Sequence, residues 1–314
     1  MKRMYNFNEL ARNYGFNIRE IEKVCRISDL LEDISAVKFL SDRLCLYGGT
    51  ALTFIYYKEI LRLSTDIDLN YRHLDTKDWG EVRNEIDKRI KELLYRQGYK
   101  DSDIAISPSY PLTRFTVQYT NTLGLKDNFT IEIGYMRRYP ILKTDTTAAF
   151  KHIGTQETFQ VKTPTKEELF ANKWCALLYR KSSRDLFDVY QITKMNMNPT
   201  VFRKCAIIDS LMRGKPKLHE INIEETMHEI PIDSRLKNLL QIEKLSKFDF
   251  NTIVKQATKF TTSVIASLTK NEVKAIDQFF QLKTFKPNLI DRKGLLNEKI
   301  REHPAIQWAL ANLV

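Results

Sequence analysis

The chain has 314 residues, 43% of them hydrophobic and 28% charged, which is enough apolar material for one large or two ordinary buried cores. It contains no run of membrane-spanning length, and the opening "MKRMYNFNELARNY" lacks the apolar centre of a signal peptide, so a cytoplasmic location without membrane association is expected. With 50 Lys and Arg against 39 Asp and Glu the formal charge is +11, a surplus that suits a polyanionic partner such as RNA and equally a merely solubilising basic surface.

Cys25, Cys45, Cys175 and Cys205 are widely spaced and read as small buried apolar residues, not as a disulfide framework or a zinc site. The histidines show no ligand spacing; His228-Glu229 runs on into Ile-Pro-Ile, so soft-metal chemistry is not expected.

In chain order, Ile21, Val24, Ile27, Leu31 and Ile34 recur at helical spacing and predict a surface helix between Asn17 and Leu40. "RLCLYGG" reads as a short strand entering a glycine turn, and "TALTFIYY" as the helix that leaves it. "STDIDLNYR" alternates as a strand does, with Asp66, Asp68 and Asn70 on one side and Ile67 and Leu69 on the other. Val82, Ile86, Ile90 and Leu93 predict a helix from Gly80 to Gln97, stopped by Gly98. "LTRFTVQYT" and "FTIEIGY" predict two strands joined by "NTLGLKDN", with Glu132 on the face opposite Ile131 and Ile133. "TPTKEELFANKWCALLYR" predicts a helix with a Thr165/Glu168 capping box, and Thr269 with Glu272 predicts another. Beyond residue 190 or so the pattern is helical. The fold class is therefore α/β: a small mixed sheet with N-terminal helices over residues 1–160, and an α-helical half over 161–314 that would complete a cleft.

Two aspartates on one strand face repel each other unless something positive lies between them. Oxygen ligands in this arrangement suit a divalent cation, and magnesium in particular is held by one or two carboxylates plus substrate phosphates. A glycine turn running into a helix offers backbone N–H groups to phosphate oxygens. Gly48-Gly49 alone is an ordinary turn and Asp-x-Asp alone an ordinary solvated strand; their succession within one strand–turn–helix–strand unit is far more specific.

"GGTAL" followed by "RLSTDIDL" resembles the signature of the AbiEii/MenT-type toxins, a branch of the DNA polymerase β-like nucleotidyltransferase superfamily. "IEIGYMRRYPI" is similar to the strand carrying that superfamily's third acid, here Glu132 where many members have Asp. "NKWCALLYRKSSRDLFDVYQI" resembles the family's second block, a helical lysine followed by Arg-Asp and another Asp, and "EHPAIQWAL" matches more loosely. The resemblance implies a metal-dependent nucleotidyltransferase that moves a nucleoside monophosphate from an NTP to an RNA acceptor, the tRNA 3′ end first. It also implies a type IV-like toxin with a cognate antitoxin encoded nearby. Asp66, Asp68 and Glu132 would hold Mg2+ or Mn2+; Gly48, Gly49, Thr50, Arg62 and Ser64 would face the nucleotide. Ser64 reads equally as a strand-edge hydroxyl and, by resemblance, as an acceptor of phosphate in antitoxin control. Lys166, Lys173 and Arg180 stand seven apart on one helix face. Lys173 takes the phosphate role by family match, with Asp185 orienting either it or the nucleobase, while Arg184 and Asp188 could pair on their helix. Basic residues gather at Arg137, Arg138, Lys151 and Lys162 and along the helix from Lys166 to Arg184; of these Arg137 and Arg138 are the expected RNA track, with an ordinary solvated pair as the alternative. Two alternatives stand beside this reading: nucleotidyl transfer to a small molecule, and a nucleotide-binding regulator without catalysis.

Overall fold

The computed structural model describes residues 3–73, 78–107, 109–231, 233–245 and 249–313. The chain forms two compact units. The first comprises Met1–Arg138, Thr146–Thr163 and Lys237–Lys247; the second comprises Tyr139–Asp145, Pro164–Leu236 and Phe248–Val314. Each unit is built from three separate segments of the chain. Backbone bonds far apart in sequence cause the exchange: the Leu63 N–H donates to the Leu239 carbonyl at 2.8 Å and the Ile242 N–H to that of Gly15 at 2.8 Å.

The first unit opens with α1 (Phe7–Tyr14), α2 (Ile18–Ala36) and α3 (Lys38–Arg43). Asn17 caps α2 by accepting from the Arg19 N–H, and Ile21, Val24, Ile27, Leu31 and Ile34 are all buried, as the helical spacing predicts. Strand β1 (Leu44–Tyr47) leads into the short helix α4 (Gly48–Ala51) and a π-helical turn over Leu52–Tyr56. Strand β2 (Asp66–Tyr71) follows, then α5 (Trp79–Arg96), capped by Asp78. The strands β3 (Ile104–Ser107), β4 (Leu112–Thr120) and β5 (Lys126–Gly134) complete a five-stranded sheet of order β1-β2-β5-β4-β3. β2 and β5 run parallel and the other neighbours antiparallel, so the sheet is mixed. A separate hairpin, β6 (Thr146–Lys151) with β7 (Thr158–Thr163), is present that the residue pattern did not announce.

Alternation fixes the sheet's register. Ile67, Leu69, Tyr71, Phe115, Val117, Phe129, Ile131 and Ile133 are all buried on one face. Each such side chain is worth about 1.5–3 kcal/mol when fully buried, so a one-residue slip that turned Asp66 and Asp68 inward would be prohibitively costly. The acids are thereby committed to the polar face.

Helix α5 packs with Asp87 beside Thr113 and Tyr135, whose hydroxyls both donate to its carboxylate at 3.4 Å. Burial raises the Asp87 carboxyl to about 6, against the opposing pull of Arg83 and those hydroxyls. A raised folded value contributes stability below the unfolded value near 4 and loses it as pH rises through about 6. Asp87→Asn is therefore expected to stabilise the protein at pH 8 by ~1–2 kcal/mol, allowing for solvent screening of a partly exposed group, and to change little at pH 3. Urea denaturation at the two pH values checks this; an equal effect at both would contradict it.

The second unit is helical: α6 (Lys166–Arg180), α7 (Ser183–Ile192) and α8 (Pro199–Arg213) precede further helices that include Phe250–Ala266, Lys270–Leu282 and Pro304–Ala311. Buried Trp174 of α6 donates its indole N–H to Thr261 at 3.1 Å. The Thr269/Glu272 capping box forms as expected. The Thr165/Glu168 box does not: Thr165 makes no cap bond, and Glu168 accepts instead from the backbone N–H groups of Ile141 and Leu142 at 2.9 and 3.3 Å. A buried carboxylate with two long-range amide donors outcompetes the local cap. All four cysteines are buried. Among the described residues no helix is long and apolar enough to cross a membrane.

Candidate active site

Parallel pairing of β2 with β5 sets Asp66 opposite Thr130 and Asp68 opposite Glu132. Period-2 geometry puts all four on the polar face, where they are half-buried. The three acids expected from sequence therefore lie on one face of neighbouring strands. The Thr130 hydroxyl donates to Asp66 Oδ1 at 2.8 Å and orients that carboxylate. Glu132 is engaged differently: Arg114, opposite it on β4, donates from Nε and Nη2 to Oε1 at 2.8 and 2.6 Å.

The glycine turn is built around Asp68. Gly48 lies at φ +72°, a left-handed conformation that only glycine adopts freely, and a Cβ there would sit 1.8 Å from Asp68 Oδ2. At Gly49 a Cβ would lie 2.7 Å from Arg62 Nη2 and 2.8 Å from Ser64 Oγ. The two glycines thus let the backbone approach one carboxylate and one guanidinium directly. An all-carboxylate donor set on one face, with a cradle that a side chain would fill, fits an oxygen-coordinated divalent cation such as Mg2+ or Mn2+.

Three residues expected to face the nucleotide prove to be internal. The Thr50 hydroxyl is fully buried, donates to the Asp66 carbonyl and shares a second hydrogen bond with the Ser64 hydroxyl at 3.0 Å. These contacts tie the turn to the start of β2. Arg62 is 2% exposed and donates from Nη1 to the Leu63 carbonyl at 2.8 Å, and Ser64 is 8% exposed. Both brace the turn from behind.

Glu20, at the start of α2, escaped the sequence reading. Burial raises its carboxyl above the usual range, and the negative charges of Asp127 and Asp66 add to that against Lys23 and Arg19. An isolated Glu in a helical first turn carries no sequence signal of such a neighbourhood.

In the second unit Lys173 is buried and its ammonium lies 2.9 Å from Asp185 and 3.0 Å from Asp188. Arg180 also grips Asp185, from Nε at 3.0 Å and Nη2 at 2.9 Å. Burial would raise the Asp185 carboxyl, but Lys173 and Arg180 outweigh it and hold the group below the ordinary carboxylate value. The structure places Asp185 in direct contact with Lys173. Pairing with Lys173 adds Asp188 to the cluster, a contact that spacing alone did not reveal.

Two other clusters bring three potential ligand atoms within 4.8 Å: Asp29, Glu32 and His152, and His219, Glu220 and Asp277. The Asp66, Asp68 and Glu132 carboxylates do not form so tight a set among the described residues. In the first cluster His152 Nδ1 accepts from the Gly154 and Thr155 N–H groups, which leaves the proton on Nε2 to be donated to Asp29 at 3.1 Å. That tautomer uses His152 as a structural bridge, and Arg3 already pairs with Asp29 and Glu32.

The family model for the nucleotidyl transferase AbiEii toxin, of a type IV toxin–antitoxin system, matches residues 29–311. The chain belongs to the AbiEii nucleotidyltransferase toxin family. Among solved structures, MenT4, a nucleotidyltransferase toxin from Mycobacterium tuberculosis H37Rv, is similar over 99% of each chain with a TM-score of 0.64 at 16% identity, a likeness of fold. A search of curated proteins returns no match. Family membership makes this protein a nucleotidyltransferase, and the family is one of type IV toxin–antitoxin systems, which suggests an antitoxin partner. It also gives the glycine turn and the acids on β2 of this AbiEii-type chain a chemical context that their geometry alone would leave general.

The basic residues singled out for RNA are partly occupied. Arg138 stacks over Trp79, 4.4 Å from the ring centre, and donates to the Tyr135 carbonyl. Lys151 reaches the Tyr57 carbonyl at 3.4 Å, and Lys162 donates to that of Asp42. In this family member they hold the first unit together as well as charging its surface.

Proposed function

We propose that this AbiEii-family enzyme transfers a nucleoside monophosphate from an NTP to the 3′ hydroxyl of an RNA, a tRNA first, in a reaction that depends on Mg2+ or Mn2+. The observation that carries the reading is the packing of Asp68 against the left-handed Gly48 turn, with Asp66 and Glu132 on the same sheet face. Asp66 and Asp68 would hold the cation, with Glu132 as the third carboxylate. The chemistry a divalent cation supplies at such a site is neutralisation of charge on the attacking oxygen and the departing pyrophosphate. Backbone N–H groups of Gly48 and Gly49 hold phosphate oxygens. Within the second unit, two of the three ammonium donors of Lys173 are engaged by Asp185 and Asp188, and its third donor is the one we assign to a phosphate, an assignment that rests on the family match of this lysine. The RNA oxygen bonds to the α-phosphorus, the bond to the β-phosphate oxygen breaks, and pyrophosphate leaves as the hydroxyl proton passes to solvent.

The +11 charge supports a polyanionic acceptor, and Arg137, just beyond the Glu132 strand, is the side chain chosen to meet its phosphates. Such binding releases counterions, so affinity for tRNA is expected to fall steeply as salt rises. Purified protein with tRNA, Mg2+ and each NTP in turn is expected to extend the tRNA 3′ end on a sequencing gel. Labelling of a small metabolite with no extension under any NTP would overturn the RNA acceptor.

A further inference from the structure

A single row of residues crosses the sheet at the level of the acids. Tyr47 pairs with Asp68, Asp68 with Glu132, Glu132 with Arg114, and Arg114 with Ser107. The row therefore brings one cation next to the third carboxylate. The Arg114 and Glu132 side chains are 51% and 30% exposed, and both guanidinium bonds end on the same oxygen, Oε1. Among the described residues Glu132 is the group with which the Arg114 guanidinium pairs.

This arrangement differs from what a preformed three-carboxylate metal site would need. The register sets the two residues directly opposite each other in an antiparallel pair, so β4 holds Arg114 within reach of Glu132. The carboxylates of Asp66, Asp68 and Glu132 meanwhile stay outside mutual ligand distance. A partly exposed ion pair is weak, and a divalent cation attracts a carboxylate with twice the charge of a guanidinium.

We propose that Arg114 is a positioning residue that holds Glu132 away from Asp66 and Asp68 until a divalent cation competes for it, and so sets the metal affinity of the site. This rests on the reading of Asp66 and Asp68 as metal ligands. Glu132 has two states, paired to Arg114 or turned to the cation. The half-exposed Arg114 has room to release it, whereas Asp66 is tethered by Thr130 and Asp68 is pressed against Gly48. The same pair accounts for a glutamate at this position, since its longer arm serves two partners.

Titration of the full-length protein with Mn2+, followed by the loss of the free-ion EPR signal, tests this without recourse to activity. Arg114→Met is expected to tighten Mn2+ binding about two- to fivefold, the size set by breaking a partly exposed ion pair. Arg114→Lys, which restores a single charged contact, should return most of the wild-type affinity. In a Glu132→Gln background, Arg114→Met should give no such gain. Unchanged or weaker binding in Arg114→Met, with wild-type binding intact, overturns the proposal. So does an undiminished gain in the Glu132→Gln background, because Arg114 would then act by bulk charge and not through Glu132. Absence of Mn2+ binding in every variant, including the wild type, would remove the metal reading itself along with it.

Discussion

Asp68→Asn is expected to lower nucleotidyl transfer at least ~10²- to 10³-fold while leaving the fold intact, the range seen when one preorganised electrostatic group is removed from a reacting centre. The substitution keeps the shape that fits against Gly48 and removes only the charge, so the turn has no reason to move. Gly48→Ala makes the complementary change: the charge stays, but a Cβ placed 1.8 Å from Asp68 Oδ2 must displace the carboxylate, and the φ of +72° adds strain. Both variants should lose activity, with unfolding midpoints separating them: near wild type for Asp68→Asn, lowered for Gly48→Ala. A correctly folded Asp68→Asn protein with near-normal turnover would show that this carboxylate is not part of the reacting centre.

The second large effect is on stability. Lys173 lies between two buried carboxylates, Asp185 at 2% and Asp188 at 0% exposure. Breaking a buried ion pair by removing one partner typically costs about 3–5 kcal/mol, because the remaining charge stays desolvated. Lys173→Met is expected to destabilise the protein by that amount at pH 7, with Arg180 relieving only part of the burden on Asp185. Asp185 titrates below its ordinary value of 3.8, so its contribution is full above the unfolded carboxylate range and is lost as pH falls through the depressed folded value. The penalty of Lys173→Met should therefore shrink in acid, and adding Asp188→Asn should recover part of it at neutral pH. Urea denaturation reads all three; a loss under 1 kcal/mol at pH 7 would contradict a structural load on this lysine. Loss of NTP affinity in Lys173→Met is informative only after that measurement.

The parts legible in the sequence were those governed by local period. Alternation in "STDIDLNYR" and "FTIEIGY" gave the strands and the facing of Asp66, Asp68 and Glu132, because one face of β2 and β5 is fully buried. Helical spacing gave α2 and α5 for the same reason. Strand β3 was illegible because its four residues have no buried alternate face, and β6 and β7 because "TTAAFK" and "TFQVKT" carry little apolar contrast.

What remained hidden was long-range. Glu168 left its local cap for amides at Ile141 and Leu142, while Glu272 kept its cap and also accepts from Arg203. The two boxes read alike in sequence, and only tertiary packing distinguishes them. The bond from the Thr50 hydroxyl to the Asp66 carbonyl was equally hidden, because a hydroxyl after two glycines faces either way. Arg114 had no signal at all, since its importance comes from the register that sets it opposite Glu132.

The central claim is that the acids beside the glycine turn transfer nucleotides to RNA. Incubating wild-type protein and the Asp66→Asn/Asp68→Asn double variant with total RNA, Mg2+ and each α-32P-labelled NTP tests it most directly. The account predicts label in RNA with the wild type, from at least one NTP, and none with the double variant. Equal labelling by both proteins would contradict it.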